Sequence, residues 1–199
     1  MRKILASSFL LALIFILQVL GLLRGINERI DFLLPSPSPR VLTILTALGG
    51  NLFFSAFALF AIYLDVKEHG KLSRETLVFL LSAFLGLAIV GILKVALNEP
   101  RPRGHGGFSF PSGHAFRGGI IAVYSSNRWK KIGIIAWAYA IGVALTRLLL
   151  HVHWFSDVIF SLLLAQWIYN VVKVTQDTWL PLYRRIVGKL GISFLDVEL

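Results

Sequence analysis

From Ile4 to Leu23 the chain runs for 20 residues without a charge, and a helix of that length crosses the roughly 30 Å hydrocarbon core of a bilayer. Further apolar blocks at 41–64, 76–97, 132–150 and 155–174 repeat the pattern, with a shorter helical stretch at 112–126 between them. With 56% hydrophobic and only 15% charged residues, against about 45–50% and 25% in soluble domains, there is too little charge to coat a water-soluble globule. Disorder and collagen-like structure are excluded on the same ground. Arg2 and Lys3 precede the first block, whose apolar run is longer than a leader peptide needs, so it reads as a retained helix. The expected fold is all-α: a six-helix transmembrane bundle forming one domain over 1–199, with spans near 4–23, 41–64, 76–97, 112–126, 132–150 and 155–174.

The connectors divide the charge. Arg24 to Arg40 contains Pro35-Ser36-Pro37-Ser38-Pro39; each proline lacks a donor and pushes the residue before it out of the helical region, so the stretch reads as a loop. The glycine-rich run from Arg101 to Gly113 cannot face lipid, where its irregular backbone would leave donors and acceptors unpaired, and must be a loop or a shielded pocket wall. Of 20 Lys and Arg residues, twelve fall on one side of the proposed spans: Arg2, Lys3, Lys67, Lys71, Arg74, Arg128, Lys130, Lys131, Lys173, Arg184, Arg185 and Lys189. By the positive-inside rule that side is cytoplasmic and carries both termini of a multi-pass cell-membrane protein. The net charge of +10 is thus read as topology, with no nucleic-acid partner. The absence of cysteine rules out disulfides, a thiol nucleophile and a thiolate metal site.

Three polar clusters interrupt the apolar background, all on the outward side: Lys94 with Arg101-Pro102, then Pro111-Ser112-Gly113-His114, then Arg147 with His153 and Asp157. Charges in or beside spans are expensive and persist mostly where they pair or line a functional path. Lys94, Arg101 and Arg147 are suited to surrounding a phosphate, the arginines with paired donors in a fixed fork and the lysine with a compact charge. Ser112-Gly113-His114 opens a helix whose unpaired backbone donors favour the same anion. His153 and Asp157 stand four apart at a helix start and share a face, so the carboxylate can take one imidazole N–H while the other nitrogen points at substrate. His153 is then the candidate nucleophile for in-line attack on phosphorus, and His114 the group that protonates the leaving oxygen and later activates water. Taken singly, Lys94 reads as an interfacial snorkeler and the Pro-Ser-Gly turn as a helix cap; their joint occurrence reverses that. Arg117 and His151 are further possible site residues, and Gly49-Gly50 and Gly118-Gly119 read as close helix packing.

In order and spacing these three motifs resemble the type 2 phosphatidic acid phosphatase family. The resemblance implies a six-helix membrane fold and hydrolysis of a lipid phosphate or pyrophosphate with no metal or other cofactor. It also implies a phosphohistidine on His153, Asp157 as its orienting partner, His114 as acid, and phosphate binding by Lys94, Arg101, Ser112, Gly113 and Arg147. It covers about a third of the chain, Lys94 to Asp157, and departs from the family at Thr146, where Ser usually precedes the arginine. The expected substrates are an isoprenyl pyrophosphate, phosphatidic acid or phosphatidylglycerophosphate, reaching a pocket near the outer membrane interface. Two other readings are a vanadium haloperoxidase-like enzyme, whose phosphate cradle would hold vanadate, and a non-catalytic lipid-phosphate transporter or binding protein.

Overall fold

A computed structural model describes residues 2–192 and 195–197, and among these no β-strand forms. The helices are α1 (Arg2–Val19), α2 (Arg24–Leu33), α3 (Pro39–Ala47), α4 (Asn51–His69), α5 (Arg74–Leu97), α6 (Gly113–Arg128), α7 (Gly133–Leu149), α8 (Phe155–Val174) and α9 (Gln176–Leu190). The all-α expectation holds. Among the described residues four helical segments are long and apolar enough to cross a membrane, or five if α1 and α2, bent by 91°, form one broken span.

The bundle is built around α6. It packs on α7, α8 and α5, and Phe116, Ile120, Val123 and Tyr124 are all buried along it. Close approach requires small residues where helices meet. A Cβ on Gly119 would stand 2.9 Å from the Ala165 methyl of α8, and one on Gly86 of α5 would run into the Phe116 ring. Gly119 therefore serves close packing, as the sequence reading of this pair expects, whereas a Cβ on Gly118 would make ordinary contact with Ala140 at 3.4 Å. Large apolar side chains on the outer helices, among them Leu52, Phe84, Val95 and Ile134, are exposed, as lipid contact requires.

At the end of the bundle away from the three motifs, polar contacts lock the helices in register. Ser73 caps α5 by accepting from the Thr76 amide at 3.2 Å. The wholly buried Asp65 accepts from Arg128 at 2.8 Å and from the Ser73 amide at 2.8 Å. Glu75 receives both Tyr169 (2.6 Å) and Lys173 (2.6 Å).

Three features differ from the sequence expectation. The stretch read as a loop over 24–40 begins with α2, stabilised by an Arg24–Glu28 pair one turn apart at 2.9 Å; the prolines start only at Pro35, after the helix has ended. The block at 41–64, expected as one span, is divided at Leu48–Gly50 into α3 and α4, which together still form one segment, Pro39–His69, long and apolar enough to cross a membrane. A C-terminal helix, α9, follows α8 beyond the last expected span.

Candidate active site

The loop after α5 folds back on itself, which is how irregular backbone is tolerated at membrane depth. Asn98 turns the chain out of α5 in the left-handed region, φ 41°. The Arg101 amide then donates to the Gly106 carbonyl at 2.8 Å and the Ser109 amide to Glu99 at 2.9 Å. Lys94 Nζ donates to the carbonyls of Phe108 (2.5 Å) and Ser109 (3.3 Å), and Arg101 Nε to that of Gly107 (3.0 Å). An ammonium has three N–H groups, so Lys94 retains one, and Arg101 retains both terminal nitrogens of its guanidinium. The Phe110–Pro111 peptide is cis. Ser112 follows as the N-cap of α6, accepting from the Ala115 amide at 3.4 Å, which directs the first turn of α6, with Gly113 and His114, toward the same region.

The turn between α7 and α8 supplies the other half. His153 Nδ1 lies 3.2 Å from Asp157 Oδ2, and that oxygen also accepts the Trp154 amide at 2.8 Å and the Ser109 hydroxyl. Asp157 Oδ1 is buried without a hydrogen-bond partner. Because a carboxylate only accepts, His153 carries its proton on Nδ1 and leaves an electron pair on Nε2. Burial pushes the His153 pKa down from its ordinary value, against the opposing pull of Asp157. Glu99, outside the helices, is shifted up by burial and by the charge of Asp157.

The motifs meet. His114 lies within electrostatic reach of Arg147, Arg117, His153 and Lys94, and Lys94 within reach of Arg101, Asp157, Arg147 and Arg117. Arg147 gives Nη1 to the Thr46 hydroxyl at 2.9 Å, while its Nε is buried and unpartnered; the Nε edge of the fork is therefore free for a two-pronged grip. Arg117 donates Nε to the Gly49 carbonyl at 2.8 Å and places Nη2 3.5 Å from His114 Nδ1, so it ties α6 to the α3–α4 break beside the site. Among the described residues, none of Lys94, Arg101, Arg117 and Arg147 forms an ion pair with a carboxylate. Four unpaired cations around two imidazoles, with one buried carboxylate, make a cradle for a multiply charged tetrahedral anion.

His151 stands apart from the cradle and bonds instead to Asp31 and Ser36, at 2.7 and 3.0 Å. Thr146, the residue departing from the family pattern, is buried and returns its hydroxyl to the Val143 carbonyl at 2.7 Å; the methyl is accommodated in the core. Sequence reasoning missed Ser109, which touches Asp157, and Thr46, which holds Arg147. Ser109 lay in the suspect loop without a distinguishing neighbour, and Thr46 sits in an apolar block that carries no chemical signal. A cleft of about 540 Å³, lined among others by Gln18, Glu99, Arg101, Arg103 and Trp154, opens beside the cradle at the α1–α2 corner.

The fold is that of a polytopic membrane protein, and the cluster of cations and imidazoles is of a kind that can hold a phosphate-like anion. The chain belongs to the PAP2 superfamily, whose family model matches residues 75–180, and is an enzyme of the phosphoric-ester hydrolase class. Its fold is similar to that of the first transmembrane PAP2 type phosphatidylglycerolphosphate phosphatase from Bacillus subtilis: 21% identity, TM-score 0.71, covering 89% of this chain and 98% of that one. It is also similar to Aquifex aeolicus LpxE, at 24% identity and TM-score 0.60, covering 77% of this chain and 93% of that one.

Proposed function

We propose that this protein hydrolyses the phosphate monoester or pyrophosphate of a membrane lipid through a covalent phosphohistidine. The observation that carries the reading is the unpaired cation cluster around His153, whose Nδ1 is held by Asp157 at 3.2 Å. Lys94, Arg101 and Arg147, with Ser112 and Gly113 at the N-terminus of α6, hold the phosphoryl oxygens. His153 Nε2 attacks phosphorus in line. The ester P–O bond breaks as the P–N bond forms, and a protonated His114 gives its proton to the departing oxygen. His114 then takes a proton from water, whose oxygen attacks phosphorus and breaks the P–N bond, releasing inorganic phosphate and restoring His153. The charge that develops on the equatorial oxygens meets donors already in place.

The similar Bacillus subtilis structure, named for phosphatidylglycerolphosphate, keeps that lipid among the candidate substrates beside phosphatidic acid and isoprenyl pyrophosphates. The apolar outer surface suits a tail that remains in the bilayer while its phosphate enters laterally. We place both termini in the cytoplasm and the cradle at the outer face of the cell membrane, on the asymmetry of basic residues. The test is phosphate release by the purified protein from a panel of lipid phosphates and pyrophosphates with chelator present, beside His153→Ala. Release from at least one lipid, abolished in the variant, is expected; undiminished release by His153→Ala overturns the mechanism.

A further inference from the structure

The inward side of α2 carries Asn27 and Asp31, one helical turn apart. Both reach the segment that holds His153. Asp31 Oδ1 lies 2.7 Å from His151 Nδ1. Asn27 engages Ser156 with both ends of its amide, donating to the hydroxyl at 2.8 Å and accepting from the backbone N–H at 3.1 Å. His151 and Ser156 stand on either side of His153 in the chain, so a single helix grips the turn before and after it.

The grip extends to the phosphate loop. Arg103, two residues beyond Arg101, places Nε 3.3 Å from Asp31 Oδ2 and donates Nη1 to Ser36 Oγ at 2.9 Å. Ser36 Oγ in turn lies 3.0 Å from His151 Nε2. The outward side of α2 exposes Ile26, Phe32 and Leu33, and Asn27 is its one buried residue. Polar contacts rather than apolar burial therefore hold this helix against the site.

The backbone carries a second sign. His151 and Arg103 both adopt φ 53°, a left-handed conformation that costs every residue except glycine, though Asn, Asp and His less than the rest. Strain of this kind persists where surrounding contacts over-determine it, and it clusters at functional sites. Glycine would fold more easily at 151 but would give Asp31 nothing to hold.

We propose that α2 is a clamp on the nucleophile turn, in which Asn27, Asp31 and His151 are positioning residues that act through His153. The clamp rests on the assignment of His153 as nucleophile. It sets the aim of His153 Nε2 at the phosphorus held by Arg101 and its neighbours, so that loosening it lowers turnover more than substrate binding.

The decisive variant is His151→Gly, which removes the imidazole and relieves the backbone strain at the same time. Its thermal midpoint in detergent is expected to equal or exceed that of the wild type, with KM within about twofold and kcat lower by about tenfold. His151→Asn tolerates the left-handed backbone and keeps a donor for Asp31, so it is expected to recover most of kcat. Asp31→Asn, which leaves the backbone of 151 untouched, is expected to reproduce the loss. Wild-type kcat in both His151→Gly and Asp31→Asn overturns the clamp, as does a kcat that falls only in step with the folded fraction, or a change confined to KM. His153→Ala in the same assay separates the two ideas: activity there refutes the nucleophile, whereas an inactive His153→Ala with fully active His151→Gly and Asp31→Asn refutes the clamp alone.

Discussion

Asp157 Oδ2 accepts the Nδ1–H of His153 across 3.2 Å while also taking the Trp154 amide and the Ser109 hydroxyl. One oxygen thereby fixes the imidazole tautomer, the start of α8 and the end of the phosphate loop together. Asp157→Asn preserves the shape but lets the amide offer a donor to Nδ1, favouring the wrong tautomer. The expected loss in kcat is about 10²–10⁴-fold, measured as phosphate release, with helical content by circular dichroism unchanged.

The pH profile follows from the same pair. Burial lowers the pKa of His153 below its ordinary 6.5, so the neutral, nucleophilic form survives as pH falls through that value and is lost only below it. The acid limb of kcat/KM, corrected for ionisation of the substrate phosphate, is expected beneath pH 6.5. In Asp157→Asn the residual activity should show a limb at still lower pH, because the carboxylate that favours the imidazolium has gone; a limb moving upward would contradict this electrostatic account.

Arg147 Nε is buried without a partner, and in the proposed mechanism that edge of the guanidinium grips the anion. Arg147→Lys keeps the charge and loses the fork, removing a charge-assisted hydrogen bond of about 1.5–3 kcal/mol, or roughly a 10–100-fold drop in kcat/KM. Inhibition by orthovanadate should weaken in parallel, since it probes the same tetrahedral site without turnover.

Gly119 tests the packing that brings the two halves of the cradle together. A Cβ there would meet Ala165 at 2.9 Å, so Gly119→Ala is expected to destabilise the bundle by about 1–3 kcal/mol. Thermal unfolding in detergent should show this as a lower midpoint, whereas Gly142→Ala, which meets nothing within 4 Å, should leave the midpoint nearly unchanged.

The cradle was legible because its chemistry is discrete: Lys94, Arg101, His114, Arg147, His153 and Asp157 are costly residues in apolar surroundings, and their spacing on predicted helices already put them on one face. Gly49-Gly50 was legible as a close-packing pair, although the place of Gly49 against Val143 and His114 was not. The helix α2 was hidden for a physical reason. It is short and polar, it precedes a proline run, and its partners Ser156 and His151 lie more than a hundred residues away, so neither an apolar scan nor local periodicity registers it. Thr46 and Ser109 escaped for a related cause: hydroxyls are common, and only three-dimensional proximity distinguishes those that hold an arginine or a carboxylate.

The burial of α6 bears on how the protein is made. With 16 residues, among them a histidine and an arginine facing the cradle, this segment has little reason to leave the translocation channel for lipid alone, since an arginine deep in a span costs about 2.5–3.5 kcal/mol on insertion scales. Its place is prepared by α5 on one side and completed by α7 and α8 on the other. The helix that begins with Gly113 and His114 is thus expected to enter the bilayer late in biogenesis, in company with its neighbours, so that the cradle closes only as assembly ends.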